Sequence, residues 1–599
     1  MAKKFIDVMD TTFRDGFQSV YGGRVLMDDF FPAVEAAKTA GINHFEFGGG
    51  ARFQSLYFYL KEDAFEMMDK FRKIVGPDAN LQTLARGVNT VMLDTGSKEL
   101  IDLHAKLFKK HGTTTIRNFD ALNDVENLKY SGERISHHGL KHEVVVTMMD
   151  LPPGCHGAHD VAFYEKTLRE ILDSGIPYDS ICFKDASGTS SPQKVFETIK
   201  MARSLVPEDT HLRLHTHETA GVSVSAYMAA LEAGVDGIDM AAAPVSGGTS
   251  QPDILTMLHA TKGMDFDLGG LEIEKILTYE KELQSCLSDY FMPPEATMVS
   301  PVIPFSPMPG GALTANTQMM RDNDILDKFP EVIAAMTEVV EKGGYGTSVT
   351  PVSQFYFQQA LNNVMQGPWK AIAPGYGKMV LGYFGKTPVE PDPEVVKIAS
   401  EKLNLEPTKE KALDLANADE SKSLETWINK LKEENIEITE ENIFIAAACQ
   451  DKGIAFLKGE SELNVRKISQ MKEDCKEGSK EMSGNYTVVV DGQKFSVQVA
   501  EGDADIQVTA VNGESASTSA PAAPAAGGAG DDIKALVPGN VWKIIMNPGQ
   551  SVNEGDVIMI LESMKMEIDI VATRGGVIKS INVATNDKVV EGQVVAVIG

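Results

Sequence analysis

Two histidines two residues apart close the segment HLRLHTHE (211–218). Alternate side chains of an extended chain share a face, so His215 and His217 project together and can hold one metal ion. Asp15, in DTTFRDGFQS (10–19), adds a hard anionic oxygen from another loop and favours the metal over a purely structural pair. His211 begins the same segment and would point to its other end, as a structural residue. His137, His138, His156 and His159 fall at no ligand spacing.

Two lysines stand in unusual places. Lys184, in ICFKDASG, has three donors and no lone pair at its ordinary pKa of about 10.4, so as an ammonium it cannot ligate a metal. Burial beside a cation lowers that pKa, and the neutral amine can take up carbon dioxide as a carbamate, an anionic oxygen ligand. The plainer alternative is an ion pair with its neighbour Asp185. Lys565, in ILESMKMEIDI, stands between Met564 and Met566 inside a β-like run.

The elements that must position these residues recur regularly. Short β-like runs end at Asp10, Gly49, Arg86, Asp120, Asp150, Asp185, Glu218 and Ala243, with amphipathic stretches such as FYEKTLREILDSG between them. Eight such units in about 250 residues predict an α/β fold, a (β/α)8 TIM barrel whose chemistry lies on the loops after the strands. A doubly wound open sheet is the alternative. Polar residues gather at these strand ends, in DTTFRDGFQS, ARGVN, KDASGTS and HTHETAG.

The pattern predicts a barrel over 1–300, a mostly helical extension over 301–480, a small β unit over 484–512 and a linker over 513–530. Its composition, GESASTSAPAAPAAGGAG, spans about 25 Å on average and near 60 Å drawn out, enough for a tethered carrier to visit separate sites, or simply a passive spacer. In 531–599, GNVWKIIMNPGQSVNEGDVIMIL and GGVIKSINVATNDKVVEGQVVAVI repeat one pattern at an offset of about 36 or 37 residues. Two similar β halves predict a small all-β sandwich with Lys565 in the hairpin between them, either a modification site or an unmodified surface lysine.

The whole chain is 599 residues with a formal charge of −29 and 43% hydrophobic residues. That length predicts about three or more domains, and the charge argues against nucleic acid or anionic lipid as partners. Five cysteines without a CxxC pair suggest neither disulfides nor a zinc knuckle. The absence of a signal-like or membrane-spanning apolar run predicts a cytoplasmic protein.

Residues 1 to about 370 resemble the carboxyltransferase domain shared by pyruvate carboxylase, the oxaloacetate decarboxylase α subunit and transcarboxylase. DTTFRDGFQS, RNFDALND, ICFKDASG, HTHETAG, VSGGTSQPD, MPGG and GTSVTP recur in the family's order. The C-terminal MKM resembles the biotin form of the biotinyl and lipoyl carrier domains. The resemblance implies zinc, manganese or cobalt on Asp15, carboxylated Lys184, His215 and His217. It also implies Arg86 facing a substrate carboxylate, Arg14 and Gln18 lining the biotin and substrate pocket, Thr350 moving a proton between biotin and pyruvate, and covalent biotin on Lys565. The helical residues resemble the family's funnel over the barrel mouth. Phe17, Leu93 and Gln354 depart from the family's usual histidine, tyrosine and lysine and leave the 2-oxo acid open.

Together these features imply the carboxyltransferase and carrier subunit of a two-subunit pyruvate carboxylase, interconverting pyruvate and oxaloacetate. No nucleotide-binding loop is evident, so its expected partners are a separate ATP-dependent biotin carboxylase subunit and a biotin protein ligase, and it is expected to be a homo-oligomer. The alternatives are the α subunit of a sodium-pumping oxaloacetate decarboxylase, docking on membrane subunits, a carboxylase of another 2-oxo acid such as 2-oxoglutarate, and a non-catalytic carrier scaffold.

Overall fold

The strand-like runs of the first 250 residues lie side by side as eight parallel strands: β1 (Lys4–Asp10), β2 (His44–Gly49), β3 (Asn80–Ala85), β4 (Thr115–Asn118), β5 (Lys141–Thr147), β6 (Ser180–Asp185), β7 (His211–Thr216) and β8 (Gly237–Met240). Pairing runs in order from β2 to β8. It closes through β1, which places Asp7 to Asp10 against Gly237 to Met240 of β8 and Asp10 against Phe45 of β2. Closure into a ring removes the open-sheet alternative. The predicted (β/α)8 barrel is therefore the fold. The computed structural model describes residues 3–471, 484–490, 493–499, 531–535, 539–563, 566–585, 587–590 and 592–599, with 484–490, 493–499, 562–563 and 566–568 as backbone alone. The chain divides into two units, Met1–Val465 and Arg466–Gly599.

Helices between the strands bury the faces their sequences mark as apolar. Lys98–Lys110 is capped by Ser97, whose side chain accepts from Leu100 N, and buries Leu100, Leu103, Leu107 and Phe108. Val161–Asp173, capped by Asp160, buries Tyr164, Leu168 and Ile171. The barrel interior is not wholly apolar. Arg117 of β4 donates to Glu143 of β5 (Nε–Oε1 2.5 Å) and to Asp239 of β8 (Nη1–Oδ2 2.5 Å), while Arg213 of β7 pairs with Asp239 Oδ1 at 3.0 Å. Buried charges persist only when paired, so this layer fixes the positions of its members. His211, at the start of β7, lies near Asp7 of β1, 3.8 Å from its carboxylate, at the opposite end from the polar loops.

A three-residue strand, β9 (Phe266–Leu268), pairs with the start of β1, Lys4 opposite Phe266. The sequence reading has eight strands and no ninth; the start of β1 supplies the hydrogen-bond partners that so short a run cannot specify alone. Helices then follow from Ile273–Cys286 to Glu440–Leu457. The last packs on the barrel's outer helices through Phe444, whose ring lies 5.5 Å from Phe53 and 6.2 Å from Phe108. Among the described residues, no helix is long and apolar enough to cross a membrane.

In the second unit, Gly484–Val490 and Gln493–Val499 form an antiparallel hairpin. The remainder forms two four-stranded sheets. One runs Asp531–Lys534, Val594–Ile598, Gly576–Ile581, Ser551–Val552; the other Met566–Val571, Val557–Ser563, Gly539–Ile544, Lys588–Val589. The repeat read from the sequence is plain: strands starting at 539, 551 and 557 recur at 576, 588 and 594, each 37 residues on (576 − 539 = 37), and each sheet takes strands from both halves. Val541, Ile558, Leu561, Ile578 and Val595 fill the core. In the hairpin joining the halves Ser563 pairs with Met566. The two residues between them, Met564 and Lys565, lie outside the described residues, as does the linker 513–530.

Candidate active site

After β1 the chain makes a tight turn, Thr12–Gly16, held by Asp10 Oδ1 accepting from Thr12 N at 2.9 Å, and Asp15 enters the barrel mouth from it. Lys184 is the penultimate residue of β6, His215 lies in β7 and His217 just beyond β7. The parity that puts the two histidines on one side brings His215 Nε2 to 3.0 Å from His217 Nε2. Asp15 Oδ2 is 3.3 Å from each of them, and Lys184 Nζ is 2.8 Å from His215 Nε2.

The hydrogen bonds on the far side of each ring decide the chemistry. His215 Nδ1 donates to Asp239 Oδ2 at 2.8 Å, and His217 Nδ1 donates to the Thr249 carbonyl at 2.7 Å. Both acceptors require Nδ1 to carry the proton, so both Nε2 atoms present lone pairs to one another and to a carboxylate. Converging acceptors with no shared hydrogen are a donor set for a cation, and two imidazoles with one carboxylate suit a divalent metal. Asp15, His215 and His217 are, among the described residues, the one group of this kind.

Close approach of the helix Gly310–Asp322 completes the frame. A Cβ on Gly310 would lie 1.6 Å from the Thr249 carbonyl oxygen and 3.0 Å from His217 Nδ1, so only glycine fits beside the carbonyl that orients His217. This assigns a physical role to the MPGG motif.

Burial drives the electrostatics. It lowers His215 to about 4, helped by the positive Lys184, and keeps the ring neutral near pH 7. Burial also lowers Lys184, with Arg14 and Arg117 adding to the effect and Asp15 opposing it. Burial opposes the charge on Asp15, yet the Arg14 guanidinium beside it outweighs that and holds the carboxyl well below its usual range. Asp185 does not pair with Lys184: it accepts from Ser187 Oγ at 2.8 Å, Gly188 N at 2.9 Å and Ser190 N at 2.6 Å, which fold the loop back upon it. The ion-pair alternative for Lys184 is thereby removed.

One cavity is lined by Arg14, Asp15, Gln18, Arg86, Lys184, His217 and Thr350, with Phe119, Pro309 and Gly311 among its other walls. His215, wholly buried against Lys184 and His217, does not line it. Arg14 Nη2 donates to Glu46 Oε2 at 2.5 Å and lies 3.1 Å from Asp15 Oδ2. Arg86 Nη1 donates to the carbonyls of Val91 and Met92 at 2.7 and 3.1 Å. Arg14 Nε, Arg86 Nε and Gln18 Oε1 are buried without a hydrogen-bond partner among the described residues. Unpaired buried polar atoms on residues lining one cavity fit a polar ligand.

The three departures lie elsewhere. Phe17 is buried against Phe30 and Phe13, with ring centroids 5.2 and 5.8 Å away. Leu93 is 43% exposed, and Gln354 Nε2 reaches Asn316 Oδ1 at 3.4 Å. None of them lines the cavity. Asp239, Thr249 and Gln251 are the residues that sequence reasoning missed. Asp239 carried one signal, an acid inside the buried strand GIDM; Thr249 and Gln251 lie in the quoted motif VSGGTSQPD, which was given no role.

Comparison with known proteins agrees with this frame. Residues 303–499 match the model of a conserved carboxylase domain, and 528–598 that of a biotin-requiring enzyme domain. The chain is 30% identical over 410 residues to the methylmalonyl-CoA carboxyltransferase 5S subunit of Propionibacterium freudenreichii subsp. shermanii, covering 68% of this chain and 79% of that one. It is 29% identical over 570 residues to a pyruvate carboxylase subunit of Methanocaldococcus jannaschii, covering 94% of each. The carboxyl transferase domain from Rhizobium etli pyruvate carboxylase shares the fold, with a TM-score of 0.68 at 23% identity over 77% of this chain and 78% of that one. Barrel, candidate metal site and biotin carrier thus occur together in one polypeptide, and the chain belongs to the family of biotin-dependent carboxyltransferases.

Proposed function

We propose that the chain is the carboxyltransferase and biotin-carrier subunit of a two-subunit pyruvate carboxylase, exchanging a carboxyl group between carboxybiotin and pyruvate. The observation that carries this reading is the convergence of three lone-pair donors, Asp15, His215 and His217, beside a cavity that also holds Arg86 and Thr350. Biotin on Lys565 carries the carboxyl group. A divalent cation such as zinc, manganese or cobalt, held by Asp15, His215, His217 and carboxylated Lys184, supplies Lewis acidity at the substrate's 2-oxo group. Lys184 suits the fourth place because burial keeps its amine easier to deprotonate than usual, and uptake of carbon dioxide releases a proton as the N–C bond forms.

The protein's own side chains do the rest. Arg86, anchored through Nη1, leaves its remaining donors for the substrate carboxylate. Arg14 is held by Glu46 and, with Gln18, walls the cavity. Thr350 Oγ1 relays the proton lost by the substrate's methyl carbon to the biotin nitrogen that gives up the carboxyl group. The buried walls exclude water that would otherwise consume the carboxyl group.

Purification from native cells tests the assignment. Co-isolation of an ATP-dependent biotin carboxylase, with oxaloacetate formed from pyruvate, bicarbonate and ATP by the mixture, is the expected result. Co-isolation of membrane subunits without such a carboxylase would overturn it in favour of a decarboxylase, and carboxylation of 2-oxoglutarate in preference to pyruvate would correct the substrate.

A further inference from the structure

Gln251 is completely buried, and its amide reaches two members of the donor set. Nε2 lies 3.0 Å from Asp15 Oδ2 and 2.9 Å from His217 Nε2. Its Oε1 accepts from Thr11 Oγ1 at 2.7 Å and from Ser250 Oγ at 3.2 Å, which orients the amide with its two N–H groups toward the ligand atoms. Each histidine lone pair therefore faces one donor: Lys184 Nζ for His215 and Gln251 Nε2 for His217.

An imidazole Nε2 has a single lone pair, so His217 cannot accept from Gln251 and bind a cation at once. A carboxylate oxygen has more than one, so Asp15 can do both. Nor does ligand orientation depend on the amide. His217 is held by the Thr249 carbonyl, and Asp15 lies against Arg14 Nη2 at 3.1 Å. We infer that Gln251 is a placeholder: it satisfies His217 Nε2 when no cation is bound and must release that lone pair before a cation can take it. The amide then keeps only its bond to Asp15. It stabilises the empty site more than the filled one, sets the affinity below what the ligands alone would give, and spares the empty site the cost of facing lone pairs. The inference rests on the metal reading of the site.

Gln251→Met preserves length and removes both donors. Expected, in chelator-stripped full-length protein titrated with Mn2+ against a competing chelator, is a dissociation constant about tenfold lower than wild type, the scale of one unsatisfied buried acceptor in the empty state. The same variant melts lower than wild type when stripped and close to wild type when saturated with Mn2+. Weaker Mn2+ binding would overturn the inference by making Gln251 a support for Asp15, and an equal loss of melting temperature with and without Mn2+ would reduce it to a packing residue. An unchanged affinity also overturns it. Wild type that binds no Mn2+ would instead sink the metal reading beneath it. Should Gln251→Met not fold, Thr11→Val, which removes the shorter of the two hydroxyl bonds to the amide's Oε1, is expected to shift both readouts the same way by less, and no shift there overturns the inference.

Discussion

Asp239 Oδ2 accepts from His215 Nδ1 at 2.8 Å, and that bond decides which ring nitrogen faces Asp15. Asp239 is itself gripped by Arg117 and Arg213, which ties that buried charged layer to the ligand set. Asp239→Asn, which offers an N–H where His215 needs an acceptor, should weaken divalent metal binding by about 10- to 100-fold. Metal content of dialysed protein by mass spectrometry checks this; full occupancy in the variant would contradict it.

Thr350 contributes a hydroxyl at the cavity wall. Thr350→Ala should lower kcat by about 100-fold or more with little change in KM, and Thr350→Ser should recover most of the loss. Steady-state oxaloacetate decarboxylation measures both; equal defects in Ala and Ser would argue that the methyl group, not the hydroxyl, matters.

Arg86 is tied to two carbonyls through Nη1 alone. Arg86→Lys keeps a charge and loses the planar fork, so KM for the 2-oxo acid should rise by about 10- to 100-fold. An unchanged KM would remove Arg86 from the substrate's carboxylate.

Two adjacent glycines should behave differently. A Cβ on Gly310 meets the Thr249 carbonyl, whereas one on Gly311 meets the flexible end of Gln18 at 3.2 Å. Gly310→Ala should destabilise by about 1–3 kcal/mol and lower metal content, and Gly311→Ala should leave metal content intact. Thermal melting with metal analysis separates them.

His104 is buried beside Phe108 with its pKa lowered to about 3 by burial. The unfolded chain binds its proton below about 6.5 and the folded chain only near 3, so wild type loses the stability this residue contributes as pH falls through that window. His104→Leu escapes the loss. Its advantage over wild type should grow by about 1.4 kcal/mol per pH unit between 6.5 and 3, read from melting curves across pH. A pH-independent difference would show that His104 takes up its proton as readily in the fold as in the unfolded chain.

The barrel was legible because eight β-like runs alternate with amphipathic stretches at a steady spacing, and β7 carried the histidines in the parity of a strand. Lys184 was legible as an anomaly, a lysine where the strand is buried. Gln251, Thr249 and Gly310 stood in VSGGTSQPD and MPGG, but their roles were not legible, because each acts through a contact between segments distant in sequence. The ninth strand was hidden for the same reason: its three residues pair only because β1 leaves an edge at Lys4. Phe17 shows the reverse error, a departure in a catalytic motif that packs against Phe30 and does not line the cavity.

The most direct test of carboxyl transfer follows label from oxaloacetate onto the carrier. The full chain, isolated with biotin on Lys565, is incubated with oxaloacetate carrying 14C at C4 and separated from small molecules. Label should appear on the wild-type chain as pyruvate forms, and neither Lys184→Ala nor Lys565→Arg should acquire it. Label retained by Lys184→Ala, or its absence from biotinylated, metal-loaded wild type, would contradict carboxyl transfer at this site.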